Sequence, residues 1–317
     1  PINWHLTAEE IGYIVENCEA KSFIADARFA EKAAEASAMS PHLVQKLAGA
    51  GEIAGFTSYD EALAAEPAHN IEDPTAGTQM LYTSGTTGHP KGVYRKAAPP
   101  VSPLLVKLRE TAAFDPTKDV ALSTGPLYHA APLALNLNFP LVSGVGVVLM
   151  DKWDAEETLK LVAKHKVTHT HVVPTMLHRI LSLPEDVRNQ YDVSSLRWVL
   201  HGAAPCPVHV KEDTIKWLGN VVYEYYAATE GGGIFVESEE WLAKRGTVGR
   251  ALEGVTVEVQ DDAGVEIPAG EIGTIYFKAP ETGQFEYFKA PEKTDGAYRG
   301  NYYTMGDMGY VDEDGYL

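Results

Sequence analysis

The chain has 317 residues and a formal net charge of −18, with the composition of an ordinary globular protein. That length can bury a large core in two or more subdomains. The acidic balance argues against nucleic acid or an anionic membrane as the main partner. No apolar run reaches membrane-spanning length and no signal peptide is visible. Cys18 and Cys206 are the two cysteines; they suggest no disulfide framework, so a reducing cytoplasm is the expected location.

Residues 7–18 read as an amphipathic helix, in which Thr7 and Glu10 offer a capping box and Ile11, Ile14, Val15 and Cys18 share one face. A strand at 22–25 and an alanine-rich helix over about 28–38 follow. Ser58 and Glu61 predict another capped helix. The stretch 66–77, with Pro67 and Pro74, is a linker into a short strand at 78–82.

The ten residues after Tyr82 carry three glycines, four hydroxyl side chains and one lysine: Thr83-Ser84-Gly85-Thr86-Thr87-Gly88-His89-Pro90-Lys91-Gly92. Glycine lets backbone N–H groups close on an anion, the hydroxyls add donors, and Lys91 adds a mobile positive charge. A polyphosphate needs these properties from a loop. A Walker loop would require Gly, four residues, then Gly-Lys-Ser/Thr. Counting from Gly85, Pro90 stands where the second glycine would be and Gly92 follows Lys91, so that reading fails. A plain surface turn is the bland alternative, and the lysine, the proline and the preceding strand weigh against it.

Beyond the loop, strands are expected at 119–123 and 145–150, a helix from Asp154 to His165 and a strand at 167–173. A helix at 174–183, a strand at 197–200, a helix at 208–218 and a strand at 221–225 continue the pattern. Alternating strands and helices imply a parallel sheet with helical cover. The pattern changes near Gly246. Residues 255–259 alternate apolar and polar, Asp262-Ala263-Gly264 forms a turn, and 271–277 alternate again, which is antiparallel hairpin character. The expected division is 1–118, 119–246 and 247–317, with the phosphate loop 83–92 in the first part.

Three further stretches carry chemistry. Tyr225-Tyr226-Ala227-Ala228-Thr229-Glu230 ends a strand. An aromatic there can stack on adenine, Thr229 can bond a phosphate, and Glu230 can hold Mg²⁺ through a hard oxygen. Thr304-Met305-Gly306-Asp307 offers a carboxylate that can accept two hydrogen bonds. Pro126-Leu127-Tyr128-His129 precedes an apolar run, 130–142, that suits either an acyl pocket or a core helix. His165, His169 and His171 look like a metal cluster, but no cysteine or carboxylate joins them locally. Asp312-Glu313-Asp314-Gly315 lacks the ligand spacing of a calcium loop and reads as a turn. Trp153, Trp198 and Trp241 read as core or surface packing.

The phosphate loop resembles that of the adenylate-forming enzymes, whose pattern Thr/Ser-Ser-Gly-Thr/Ser-Thr-Gly-x-Pro-Lys-Gly matches residues 83–92 throughout. Tyr226-Ala227-Ala228-Thr229-Glu230 is similar to the family's Tyr-Gly-x-Thr-Glu, with Ala227 in place of glycine. His201-Gly202-Ala203-Ala204-Pro205 resembles its Gly-Gly-Ala-Pro loop, with Ala203 in place of the second glycine. Met305-Gly306-Asp307 resembles its Thr-Gly-Asp element with one insertion-like difference. The resemblance runs over nearly the whole chain. It implies an α/β fold of mostly parallel sheets flanked by helices, plus an antiparallel, barrel-like subdomain. It also implies that the chain is part of a large N-terminal domain, lacking the small C-terminal domain and its lysine and therefore poorly active alone.

Within the family, His129 and the absence of an acidic residue between it and Pro140 point to an acyl- or aryl-CoA synthetase, with the opening residues mildly favouring fatty acids. The implied reaction joins a carboxylic acid to ATP, giving acyl-AMP, and then to CoA. Thr83, Ser84, Gly85, Thr86, Thr87, Gly88 and Lys91 would hold the β- and γ-phosphates. Thr229 would hold the α-phosphate, Glu230 the Mg²⁺ and Asp307 the ribose. Tyr225, Tyr226 and Ala227, with Gly202, Ala203, Ala204 and Pro205, would line the adenine and acyl sites. His129, Thr229, Glu230 and Lys91 are the candidate catalytic residues. A non-catalytic nucleotide-binding fragment and an amino-acid- or aryl-acid-activating domain stand as alternatives. Oligomeric state and acyl chain length are left open.

Overall fold

The structure is a computed structural model that describes residues 1–75, 77–83 and 89–317. Its contacts group into two units, Pro1–Arg95 with Phe285–Lys293, and Lys96–Gln284 with Thr294–Leu317.

In the first unit, the helix Ala8–Asn17 starts at the expected capping box. The Glu10 amide donates to the Thr7 hydroxyl at 3.2 Å, and the Thr7 amide donates to the Glu10 carboxylate at 2.8 Å. Both satisfy donors that a helix start leaves orphaned. Ile11 and Val15 pack on Ala36 of the helix Ala30–Ala38. A three-stranded parallel sheet lies beside them, in the order Ser22–Asp26, Gln45–Gly49, Thr57–Ser58. The helix Tyr59–Ala64 is capped by Ser58 as its spacing predicts. A second, antiparallel sheet pairs Leu81–Thr83 with Lys91–Arg95, and Lys91–Arg95 with Phe285–Tyr287. The strand expected at 78–82 thus forms later and shorter, as Leu81–Thr83.

The second unit is built on a seven-stranded sheet. Its order is Arg250–Ala251, Gly232–Val236, Val222–Ala227, Trp198–His201, His169–Val172, Val120–Ser123, Gly146–Leu149. From Val222–Ala227 to Gly146–Leu149 neighbouring strands run parallel. Such strands are buried on both faces, so their residues divide between two cores. In Trp198–His201, Trp198 and Leu200 pack with Leu104, Leu108 and Ala112 of the helix Pro103–Ala112. Val199, between them, packs the other way onto Leu177 and Val210 of the helices Pro174–Leu181 and Val208–Leu218. Each large side chain so buried contributes about 1.5–3 kcal/mol.

The strand order reverses beside Val120–Ser123. The next strand in sequence, Gly146–Leu149, lies on one side of it, and the one after, His169–Val172, lies on the other. The connections diverge there, and a crevice opens at the carboxyl ends of the strands. The apolar run 130–142 covers that end. It folds as a π-helix over Pro132–Asn138 continued by an α-turn, Phe139–Val142. Its wider winding, with bonds five residues apart, is rare in proteins and frequent at functional sites.

The antiparallel character expected after Gly246 is present as a four-stranded sheet, Val257–Gln260, Gly273–Lys278, Tyr302–Gly309, Tyr298–Arg299. Between Thr274 and Tyr276 the pairing register shifts. Thr274 faces Met308 and Tyr276 faces Thr304, so Tyr302–Gly309 bulges around Met305, Gly306 and Asp307. No helix among the described residues is long and apolar enough to cross a membrane.

Candidate functional site

Two cavities of the second unit adjoin at the carboxyl ends of the parallel strands. The first, of about 650 Å³, is mostly apolar. Leu104, Leu108, Pro132 and Leu135 form its walls, with Thr124, His129, His171, Tyr225 and Thr229 as polar exceptions. The π-helix contributes to both the lining and the core, since Leu135 also packs in the cluster around Trp198 and Leu200. The run 130–142 therefore both packs in the core and lines a cavity.

His129 lines this cavity just ahead of the π-helix, in a turn where its amide donates to the Pro126 carbonyl at 3.1 Å. Desolvation by the surrounding protein holds its imidazole below the ordinary histidine range. Thr229 lines the same cavity, from the tight turn that joins Val222–Ala227 to Gly232–Val236. The Ala228 amide donates to the Gly231 carbonyl at 2.7 Å and closes that turn around Thr229 and Glu230.

The second cavity, of about 550 Å³, is more polar. It gathers Ala203, Ala204, Pro205, Tyr226 and Asp307, which are far apart in sequence. The Tyr226 hydroxyl donates to the Asp307 carboxylate at 2.7 Å. Burial first, and then this bond, push the Tyr226 phenol upward, so it stays a donor at all ordinary pH. The bulge explains how Asp307 arrives there. Gly306 adopts φ +89, a left-handed conformation, and throws the next side chain out of the ladder. The extra residue at Met305 is thus part of a bulge rather than an interruption of the motif.

Ala203, Tyr225, Ala227 and Ala228 line both cavities and form the wall between them. Gly202 fits against that wall because it lacks a side chain. A Cβ there would meet the Tyr225 ring at 2.6 Å and the Tyr225 carbonyl at 2.8 Å. Ala203 follows at φ +68, so an alanine occupies a backbone conformation that favours glycine.

The remaining candidates lie in the first unit. Thr83 and Lys91 face each other across the hairpin. The Lys91 ammonium sits 4.7 Å over the Tyr287 ring. The helix Ala8–Asn17 meets both flanks of the loop. The Tyr82 hydroxyl donates to Asn17 at 2.6 Å, and the Tyr13 ring stacks on His89 at 4.3 Å. Ser84, Gly85, Thr86, Thr87 and Gly88 lie outside the described residues.

Sequence reasoning missed Glu224, which lines the polar cavity. Glu224 is buried and pairs at 2.5 Å with Lys211, itself 0% exposed on the helix Val208–Leu218. Burial raises the Glu224 carboxyl and lowers the Lys211 ammonium, while their attraction opposes both shifts. A carboxylate two residues from Val222 along a strand falls on the core-facing side, and that alternation was the available signal.

The histidine cluster resolves into separate residues, and among the described residues no group of three or more His, Cys, Asp or Glu could hold a metal. His169 uses both ring nitrogens, at 2.7 Å from the Thr168 hydroxyl and 2.8 Å from the Ala112 carbonyl. His171 meets the Tyr225 hydroxyl at 3.1 Å. At the Asp312 turn, Lys244 pairs with Asp312 at 2.6 Å and Asp314 at 2.9 Å. Trp198 and Trp241 are buried, as expected.

Known proteins resemble this arrangement in sequence and in fold. The family described as AMP-binding enzyme matches residues 1–285. The chain is 32% identical over 331 residues to the long-chain-fatty-acid–CoA ligase FadD13 of Mycobacterium tuberculosis, covering 100% of this chain and 62% of that protein. It is 31% identical over 258 residues to a long-chain-fatty-acid–CoA ligase of Bacillus subtilis, covering 80% of this chain and 44% of that one. The inhibitor-bound crystal structure of the N-terminal domain of FACL13 from Mycobacterium tuberculosis superposes with a TM-score of 0.81 at 28% identity, over 100% of this chain and 78% of that chain. The chain therefore spans 62% of the length of the first of these curated relatives. Its fold is that of an adenylate-forming-enzyme N-terminal domain, α/β with a further antiparallel sheet. The chain belongs to the AMP-binding enzyme family.

Proposed function

We propose that the protein carrying this chain activates a carboxylic acid with an apolar tail, a fatty acid by preference, to acyl-AMP and then transfers the acyl group to the thiol of CoA, releasing AMP. The adjoining cavities carry this reading. One accepts an uncharged tail, the other offers Tyr226 and Asp307 to a nucleoside, and they share the wall Ala203, Tyr225, Ala227, Ala228. An acid and a nucleotide bound on either side would meet there.

The first half-reaction joins the carboxylate to the α-phosphorus of ATP and releases pyrophosphate. It asks the protein chiefly for alignment and charge stabilisation. Asp307 accepts from the ribose hydroxyls, Tyr226 stacks on adenine and Thr229 bonds the α-phosphate. Thr83, Ser84, Thr86, Thr87 and Lys91 hold the outer phosphates. His129, largely neutral at pH 7, orients the incoming carboxylate without a fixed charge that would trap it. Magnesium, held by Glu230 and the phosphates, would neutralise charge on the leaving pyrophosphate; one carboxylate suits an ion that binds largely through substrate phosphates and water.

The test is acid-dependent exchange of labelled pyrophosphate into ATP by the full-length protein. Exchange should require a carboxylic acid, respond to acids with apolar tails and fall at least a hundredfold in Glu230→Ala. Exchange that proceeds equally without any acid would refute the reading.

A further inference from the structure

The apolar cavity contains a feature that a plain hydrocarbon tail does not use. His171 and Tyr225, both buried, line it side by side with Nε2 and hydroxyl 3.1 Å apart. The position of His171 is fixed with unusual care. Its amide donates to the Asn136 side chain at 2.9 Å, and its carbonyl accepts from Asn136 at 3.2 Å and from the Thr124 hydroxyl at 2.6 Å. Asn136 is buried on the π-helix, so this irregular element clamps the strand end that presents the imidazole. Buried polar groups tend to rigidify and specify a structure when satisfied in this way.

Comparison with its neighbour sharpens the point. His169, two residues earlier on the same strand, has both ring nitrogens taken by Thr168 and Ala112 and lines neither cavity. That is a structural histidine. The His171 ring instead bonds to a residue that also lines the cavity. Burial holds its ring neutral, with a pKa of about 4, so the pair is a neutral donor–acceptor couple rather than an ionic site.

A tyrosine hydroxyl can donate once and accept as well. The bond to His171 occupies one of these capacities and leaves another for a ligand. If Nε2 carries its proton, the Tyr225 hydroxyl can donate onward; if it does not, the Tyr225 oxygen can accept. A ligand hydroxyl satisfies either tautomer, which a carbonyl or an ammonium alone would not. A charged tail is disfavoured, because the surrounding wall is apolar and offers no counter-charge.

We propose that the His171–Tyr225 pair is a specificity element for the tail of the acid, selecting hydroxylated acids over their unsubstituted counterparts. This rests on the reading of the cavity as the acyl site. The preference should be moderate. The pair already shares one hydrogen bond, so the gain from a ligand hydroxyl is one additional hydrogen bond, about tenfold in affinity.

The experiment is calorimetric titration of the full-length protein with acyl-sulfamoyl-adenosines, stable mimics of acyl-AMP. Ten-carbon acyl groups would be compared with and without a hydroxyl at successive positions along the chain. One hydroxyl position should bind about tenfold tighter than the unsubstituted ligand. That ratio should fall to near one in both Tyr225→Phe and His171→Phe. Reading a ratio within each variant removes any general loss of affinity or stability, and the wild-type series stands alone if one variant fails to fold. Tight binding of the unsubstituted ligand with no hydroxyl position preferred would overturn this inference and leave the acyl-site reading intact. A preference that survives both substitutions would also overturn it. Failure of every ligand in the series to bind would overturn the acyl-site reading and this inference with it.

Discussion

Gly202 and its neighbour illustrate how single side chains shape the site. A Cβ at Gly202 would come within 2.6 Å of the Tyr225 ring and 2.8 Å of its carbonyl, and backbone does not yield easily. Gly202→Ala should therefore destabilise the chain by about 1–3 kcal/mol, read by urea unfolding. It should also weaken ligand binding, because Tyr225 lines both cavities. A neutral result in both assays would show that the wall is softer than its geometry implies. Burial matters as much as contact. His169 and His171 each titrate at about 4 in the folded chain, against an ordinary 6.5. Below pH 6.5 the unfolded chain takes up protons that the folded chain refuses. Stability should fall as pH drops from about 6.5 to 4, by about 1.4 kcal/mol per pH unit for each histidine, and the contribution should level off below that. His169→Gln should remove one proton's worth of this slope; parallel wild-type and variant profiles would contradict the assignment.

Elements show what a single sequence can and cannot disclose. Helices with caps were legible. Thr7, Ser58 and Asp154 each accept from the amide three residues on, because a short polar side chain at a helix start has few better partners. The buried parallel strands were legible as apolar runs between helices. The π-helix was not, since Pro132–Asn138 has the apolar content of an α-helix, and the contacts of Asn136 with His171 and of Leu135 with the Leu200 cluster join residues distant in sequence. The strand Tyr302–Gly309 was hidden for a related reason. Its Thr-Met-Gly-Asp stretch breaks alternation, and only the partner strand reveals that the break is a bulge. The loop 83–92 stood out in the sequence by its glycines, hydroxyls and lysine, and Ser84, Gly85, Thr86, Thr87 and Gly88 lie outside the described residues; the meeting of Tyr226 with Asp307 depends on sheet geometry. The bulge carries its own prediction. Gly306 sits at φ +89 with open space around the position of a Cβ, so a side chain there meets no clash but strains the backbone. Gly306→Val should lower stability by about 1–2 kcal/mol, read as a shift of the urea midpoint. By displacing Asp307, it should weaken AMP binding about tenfold or more. AMP affinity unchanged alongside the lost stability would detach the bulge from nucleotide binding.

At the scale of the whole molecule, the sheet order places the two cavities. Reversal of strand order beside Val120–Ser123 opens a crevice at the carboxyl ends of the strands, and both cavities lie at that end. Neither cavity suffices for the proposed chemistry. What matters is that they adjoin, so that a ligand spanning both should gain from each half without a second loss of translational freedom. The most direct measurement is calorimetric titration of this chain with decanoyl-sulfamoyl-adenosine, AMP and decanoate, in wild type and Asp307→Ala. The spanning ligand should bind at least a hundredfold tighter than AMP. Asp307→Ala should weaken both nucleotide-bearing ligands at least tenfold while leaving decanoate unchanged. A spanning ligand that binds no tighter than AMP, or that binds Asp307→Ala as well as wild type, would contradict the two-cavity site.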